Sequence, residues 1–189
     1  MSKSSTIIEH AERDACEGKK YNWAPFTVGG GIGQWLVDII GPEEIGQSAE
    51  APICCFEYPL LLCIKNELIS KATMQKIFNG IINNTKHQKS GALSYWGYKL
   101  SVWQDWSGFP KNYWRPRRGD IVFFNEPRAG DLNHVVLACG TIDSVKNANV
   151  ISFGAGLEVP QVATVVATTI ENLKQKGHAS VKFTQPIWA

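Results

Sequence analysis

The sequence has no uninterrupted apolar run close to the roughly 18 residues that mark a membrane-spanning helix, so no membrane span is expected. Its opening, Met1–Lys20, carries no apolar h-region and so does not read as a Sec signal peptide. Five cysteines, an odd number without the spacing of a disulfide framework, point to synthesis in a reducing cytoplasm. If the protein leaves the cell, a specialised secretion system is the expected route. There is no CxxC and no HxxxH, and the adjacent Cys54 and Cys55 cannot easily chelate one ion together, so neither metal nor cofactor is expected. No Lys/Arg run occurs, and a net charge of +2 is too mild to argue for nucleic acid. Arg115, Arg117 and Arg118 read as a solvated cluster. Val28–Gly41 is glycine-rich but matches neither GxGxxG nor GxxxxGK[ST], since Gln34 stands where a third glycine would be. It reads as a flexible loop rather than a nucleotide site.

What is present is the composition of one ordinary globular domain spanning 1–189, with 44% hydrophobic and 19% charged residues. Residues 1–20 read as a polar segment prone to fray, with room for a short helix at Ile7–Cys16. Ile53–Ile69 reads as a buried helix. Lys71–Asn84 places Met74, Ile77, Phe78, Ile81 and Ile82 at helical spacing, the mark of an amphipathic helix. The aromatic stretch Tyr95–Trp114 is broken by proline and glycine and reads as a loop, filling the core or covering a cleft. Then the periodicity changes. Gly119–Phe124, His134–Gly140 and Asn149–Gly154 are short apolar strands. Ala163–Ile170 fits strand or helix, and Ser180–Trp188 is a last strand. Helices followed by an antiparallel meander define an α+β fold.

Chemistry concentrates where the buried helix starts. Pro59 is tolerated only in a first helical turn, which puts the start near Cys55 or Phe56. Cys54 and Cys55 then sit at a helix N-terminus, where free N–H groups favour a thiolate and can bind an oxyanion. Cys63 lies about two turns deeper, in the core. A thiolate nucleophile needs a base that is near in space but free to be distant in sequence. His10, His87 and His178 lie in polar segments. His134 opens an apolar strand directly after a loop, which makes it the candidate base. A third group should orient the imidazole from the neighbouring strand. Ser152 is the polar residue there, with Asn133, Asn149 and Glu158 as alternatives.

These pieces, a cysteine before a buried helix, then "RRGDIVFF", a turn-rich loop and "NHVVLACG", resemble in their order the NlpC/P60 cysteine peptidases. The similarity covers roughly residues 53–154. The usual D-C-S-G is replaced by C-C-F-E, which looks like divergent members of the superfamily, including bacterial secreted effectors. The resemblance implies a papain-like fold with the cysteine helix packed on an antiparallel sheet. It implies Cys55 as nucleophile, His134 as base, and Ser152 where the family has His, Asn or Gln. It also implies amide hydrolysis through an acyl-enzyme. The expected substrate is a peptide or peptidoglycan stem peptide, and the expected setting is a delivered toxin with a cognate immunity protein. Two other readings remain: the same machinery deamidating or cleaving a host or rival protein, and a degenerate papain-like domain that only binds.

Overall fold

The computed structural model describes residues 2–87, 101–104, 116–125, 132–140, 149–155, 157, 159–175 and 180–186. The N-terminal segment is not frayed. It forms helix α1 (Lys3–Cys16), capped by the Ser2 hydroxyl, which accepts the Ser5 N–H at 3.2 Å. Ile7, Ile8 and Ala11 are fully buried. These three, with Ala15 packed beside the core, suffice to dock a helix whose remaining positions are mostly polar. Lys20–Trp23 follows as strand β1, with Tyr21 and Trp23 facing inward. The glycine-rich stretch contains a short helix, α2 (Gly31–Leu36), instead of an open loop. Its glycines are there for close approach: a Cβ at Gly33 would fall 1.9 Å from the Val28 carbonyl oxygen.

Helix α3 (Glu57–Lys65) is shorter than the apolar run suggested. It stops at Asn66, and Glu67 then adopts a positive φ of 54°. All of Glu57–Ile64 is buried, so α3 has no solvent face. Helix α4 (Lys71–His87) carries the amphipathic pattern and runs past Asn84 to His87. Of the aromatic stretch, Ser101–Gln104 is a strand, β2, and the rest lies outside the described residues.

The second half supplies β3 (Ile121–Asn125), β4 (Leu132–Gly140), β5 (Asn149–Phe153), β6 (Gln161–Thr169), helix α5 (Ile170–Gln175) and β7 (Ser180–Pro186). The segment that periodicity left undecided is therefore strand up to Thr169 and helix from Ile170. The fold is α+β. The seven strands lie in the order β1-β6-β5-β4-β3-β7-β2, all paired antiparallel. Strands β3 to β6 form the expected meander. Strand β1 extends it at one edge, and β7 inserts between β3 and β2.

Alternation along the strands creates two faces. Ile121, Phe123, Val135, Leu137, Ile151 and Phe153 belong to the large core shared with α1 and α3. Val122, Phe124, Val136, Ala138 and Val150 belong to a smaller one closed by Ile170 and Leu173 of α5. Gly119 and Asp120, which open the GDIVFF stretch, build the turn into β3. Gly119 has φ +86° and donates to the Ala138 carbonyl at 2.8 Å, and a Cβ there would meet Ser4. Asp120 accepts the Arg117 N–H at 2.7 Å. Among the described residues, no helix is long and apolar enough to cross a membrane.

Candidate active site

Cys54, Cys55 and Phe56 form the turn that leads into α3. The Cys54 carbonyl accepts the N–H groups of Glu57 and Tyr58, at 3.1 and 3.3 Å. The Glu57 side chain reaches back and accepts the Cys54 N–H at 2.9 Å. This is the reciprocal half of a capping box, and it fixes the turn from both ends. Pro59 sits in the first turn of the helix, where its missing N–H costs nothing.

The two cysteines part company at this turn. Cys54 is enclosed in the large core. Burial and the neighbouring Glu57 push its thiol well above the usual range. The Cys55 sulfur lies near backbone N–H groups instead: those of Val135, Phe56 and Cys55 itself lower its pKa electrostatically. Val135 follows His134 on β4, and strand alternation turns their side chains to opposite faces of the sheet. The three donors favour a thiolate, yet burial outweighs them and pushes the Cys55 thiol up to about 11. Burial thus favours the protonated thiol at rest. The helix-start reading, which favoured a resting thiolate, underestimates the cost of burying the charge.

His134 is buried beside Phe124, their rings 6.2 Å apart. Its Nε2 lies 2.9 Å from the Ser152 hydroxyl, itself buried. By strand alternation both belong with Val136 and Val150 on the α5 side of the sheet. The register explains the pairing: Ser152 lies opposite Val136, one step along β4 from the residue flanking His134. Of the alternatives for the third position, Asn149 is exposed at the far end of β5. The Asn133 side chain and Glu158 lie outside the described residues. His10 is elsewhere, 2.9 Å from the Asn66 amide. His87 ends α4, and His178 lies outside the described residues. Cys63 is fully buried. Among the described residues, no cluster of His, Cys, Asp and Glu could hold a metal ion.

Sequence reading passed over one residue. Glu57 is 1% exposed, and burial pushes its carboxyl up to about 7. Its signal was the Cys54-x-x-Glu57 spacing of a capping box. Asp120 behaves similarly, pushed up to about 6 by burial. Two measurable consequences follow. Both carboxyls have folded pKa values above their unfolded ones, so their contribution to stability is complete below about pH 4 and is lost as pH rises through 6 and 7. For Glu57 alone the change is on the order of 3 kcal/mol. Urea midpoints measured from pH 4.5 to 8 should fall more steeply for wild type than for Glu57→Gln, and parallel curves would refute this. For Cys55, the alkylation rate with iodoacetamide should climb about tenfold per pH unit between pH 7 and 10, as for a thiol titrating above that window. A rate already level at pH 7 would mean a resting thiolate.

Compared with known protein families, with curated proteins and with solved structures, the chain matches none.

Proposed function

We propose that this protein is a cysteine hydrolase of amide bonds with an NlpC/P60-like, papain-like arrangement. In this reading Cys55 is the nucleophile, His134 the general base and acid, and Ser152 the residue that orients the imidazole. The observation that carries it is the conjunction on β4. The His134–Ser152 pair, at 2.9 Å on the α5 face of the sheet, precedes Val135, whose backbone N–H favours a thiolate at Cys55.

Nε2 faces Ser152 on the α5 side of the sheet, so in this reading the imidazole exchanges a proton with the thiol once its ring turns from Ser152 towards Cys55. The sulfur attacks the scissile carbonyl carbon as its proton passes to the imidazole. The N–H groups at the start of α3 face the oxygen that gains charge. The imidazolium then protonates the leaving amine, and water, deprotonated by the same imidazole, releases the acyl group. Because the resting thiol is neutral, the proton moves during attack and not before it.

The substrate class we propose is the peptidoglycan stem peptide, and the biological setting a bacterial effector that reaches a target cell by a specialised secretion system and is held in check by an immunity protein. Purified sacculi incubated with the protein should yield new stem-peptide fragments by muropeptide mass spectrometry. The fragments should vanish with Cys55→Ala and with His134→Ala. Intact sacculi would overturn the substrate. A one-dalton gain on a protein glutamine, dependent on Cys55, would move the same chemistry to deamidation.

A further inference from the structure

The mechanism above gives no part to Glu57, although that residue lies two positions from the nucleophile and is 1% exposed. Burying a carboxyl is costly unless its oxygens are satisfied. One is, since Oε2 accepts the Cys54 N–H at 2.9 Å. The other, Oε1, is enclosed by protein without a hydrogen-bond partner. Among the described residues no Lys, Arg or His forms an ion pair with it. A solvent-exposed glutamate would cap the turn at less cost, so the cap alone does not account for the burial.

The neighbours do. The titratable groups of its own turn are the Cys54 and Cys55 thiols, and a charge on Glu57 pushes both up. From α1, Asp14 ends on the hydroxyls of Tyr21 and Tyr58. From β4, His134 ends on Ser152. Among the described residues, no cation would offset a negative charge at Glu57, beside a sulfur that must itself become negative during attack.

We propose that Glu57 is a positioning residue for Cys55 that works as a neutral acid. Its carboxyl ties down the Cys54 N–H and thereby fixes the turn that positions Cys55 ahead of α3. In its protonated form it does so without placing charge beside that sulfur. The inference rests on Cys55 being the nucleophile. A glutamine can fill both parts of this role through its carbonyl oxygen, whereas an alanine can fill neither.

The test compares the full-length wild type with Glu57→Gln and Glu57→Ala. The first readout is iodoacetamide alkylation of Cys55 against pH, followed by peptide mass spectrometry, which needs no substrate. At alkaline pH, where wild-type Glu57 is ionised, Glu57→Gln should alkylate faster by about threefold or more, its profile shifted to lower pH. Glu57→Ala should lose the distinction between the cysteines, with Cys54 alkylated alongside Cys55. The second readout is turnover of a stem peptide. Glu57→Gln should keep kcat and KM near wild type, and Glu57→Ala should lose about 30-fold in kcat with little change in KM. A Glu57→Gln alkylation profile that superposes on wild type, or a glutamine variant as impaired as the alanine one, overturns the proposal. Should Glu57→Ala not fold, the comparison of Glu57→Gln with wild type still decides. Failure of wild type to turn over any stem peptide counts against the proposed function, and the alkylation profiles judge Glu57 independently of it.

Discussion

Cys55→Ala should lower turnover by on the order of 10⁴-fold or more while the protein stays folded, its urea midpoint close to wild type. Removing the proposed nucleophile ends the covalent route, and what remains is the rate that binding and oriented N–H groups supply to a direct attack by water. The stability cost is small because only one sulfur is lost, about 1 kcal/mol or less. Cys54→Ala is the decisive control. Its sulfur lies in the core, so the variant should lose about 1 kcal/mol of stability yet keep activity within tenfold. His134→Ala should match the Cys55→Ala loss, and the double variant should be no worse than either single one, because the two residues act as one unit. Ser152→Ala should cost less, on the order of tenfold, since it orients the ring and does not itself react. The measurement is the initial rate of stem-peptide release with each variant, alongside a urea titration. Abolition by Cys54→Ala with Cys55→Ala still active would exchange the roles of the two cysteines. Equal activity in the wild type and all four single variants would remove the enzyme from consideration.

The parts of the site that depend on local rules were legible before any coordinates. Pro59 fixed where α3 begins to within about two residues, because a proline inside a helix is costly whatever surrounds it. The apolar strands that start at Ile121, His134 and Asn149 sit beside one another because short connections make neighbours in sequence neighbours in the sheet. That adjacency is enough to bring Ser152 to His134. The parts that depend on distant partners were not legible. Strand β1, Lys20–Trp23, looks polar in sequence and becomes a strand by pairing with Gln161–Thr164, far along the chain. Strand β7 inserts between β3 and β2, a choice that no periodicity encodes. Helix α1 is held by only a few apolar side chains, so its composition resembles that of a loose tail. The protonation state of Cys55 was out of reach for another reason. Helix position and burial act on it in opposite directions, and the sequence reveals the first without the size of the second.

Helix α1 leads to the second large effect. Asp14→Ala should destabilise the protein by about 2–5 kcal/mol, a large share of what holds a domain of this size together. Asp14 is 4% exposed, and its Oδ2 accepts the hydroxyls of both Tyr21 and Tyr58, each at 3.0 Å. Those two hydroxyls are buried, and alanine would leave both without an acceptor, at about 1–3 kcal/mol apiece. The three residues come from α1, β1 and α3, and Tyr58 follows Glu57 directly, so the cluster also anchors the helix that follows Cys55. Adding Tyr21→Phe and Tyr58→Phe to an Asp14→Leu background should recover most of the loss, because removing both phenol hydroxyls together with their acceptor leaves neither phenol unsatisfied. The same geometry sets an alkaline limit. Burial and the Asp14 carboxylate raise both phenols, so the stability they carry is complete below about pH 10 and is lost as pH climbs above it. Urea midpoints at pH 7 for wild type, Asp14→Ala and the triple variant provide the test. A single variant within about 1 kcal/mol of wild type, or a triple variant no better than the single one, would mean that the cluster does not hold α1, β1 and α3 together.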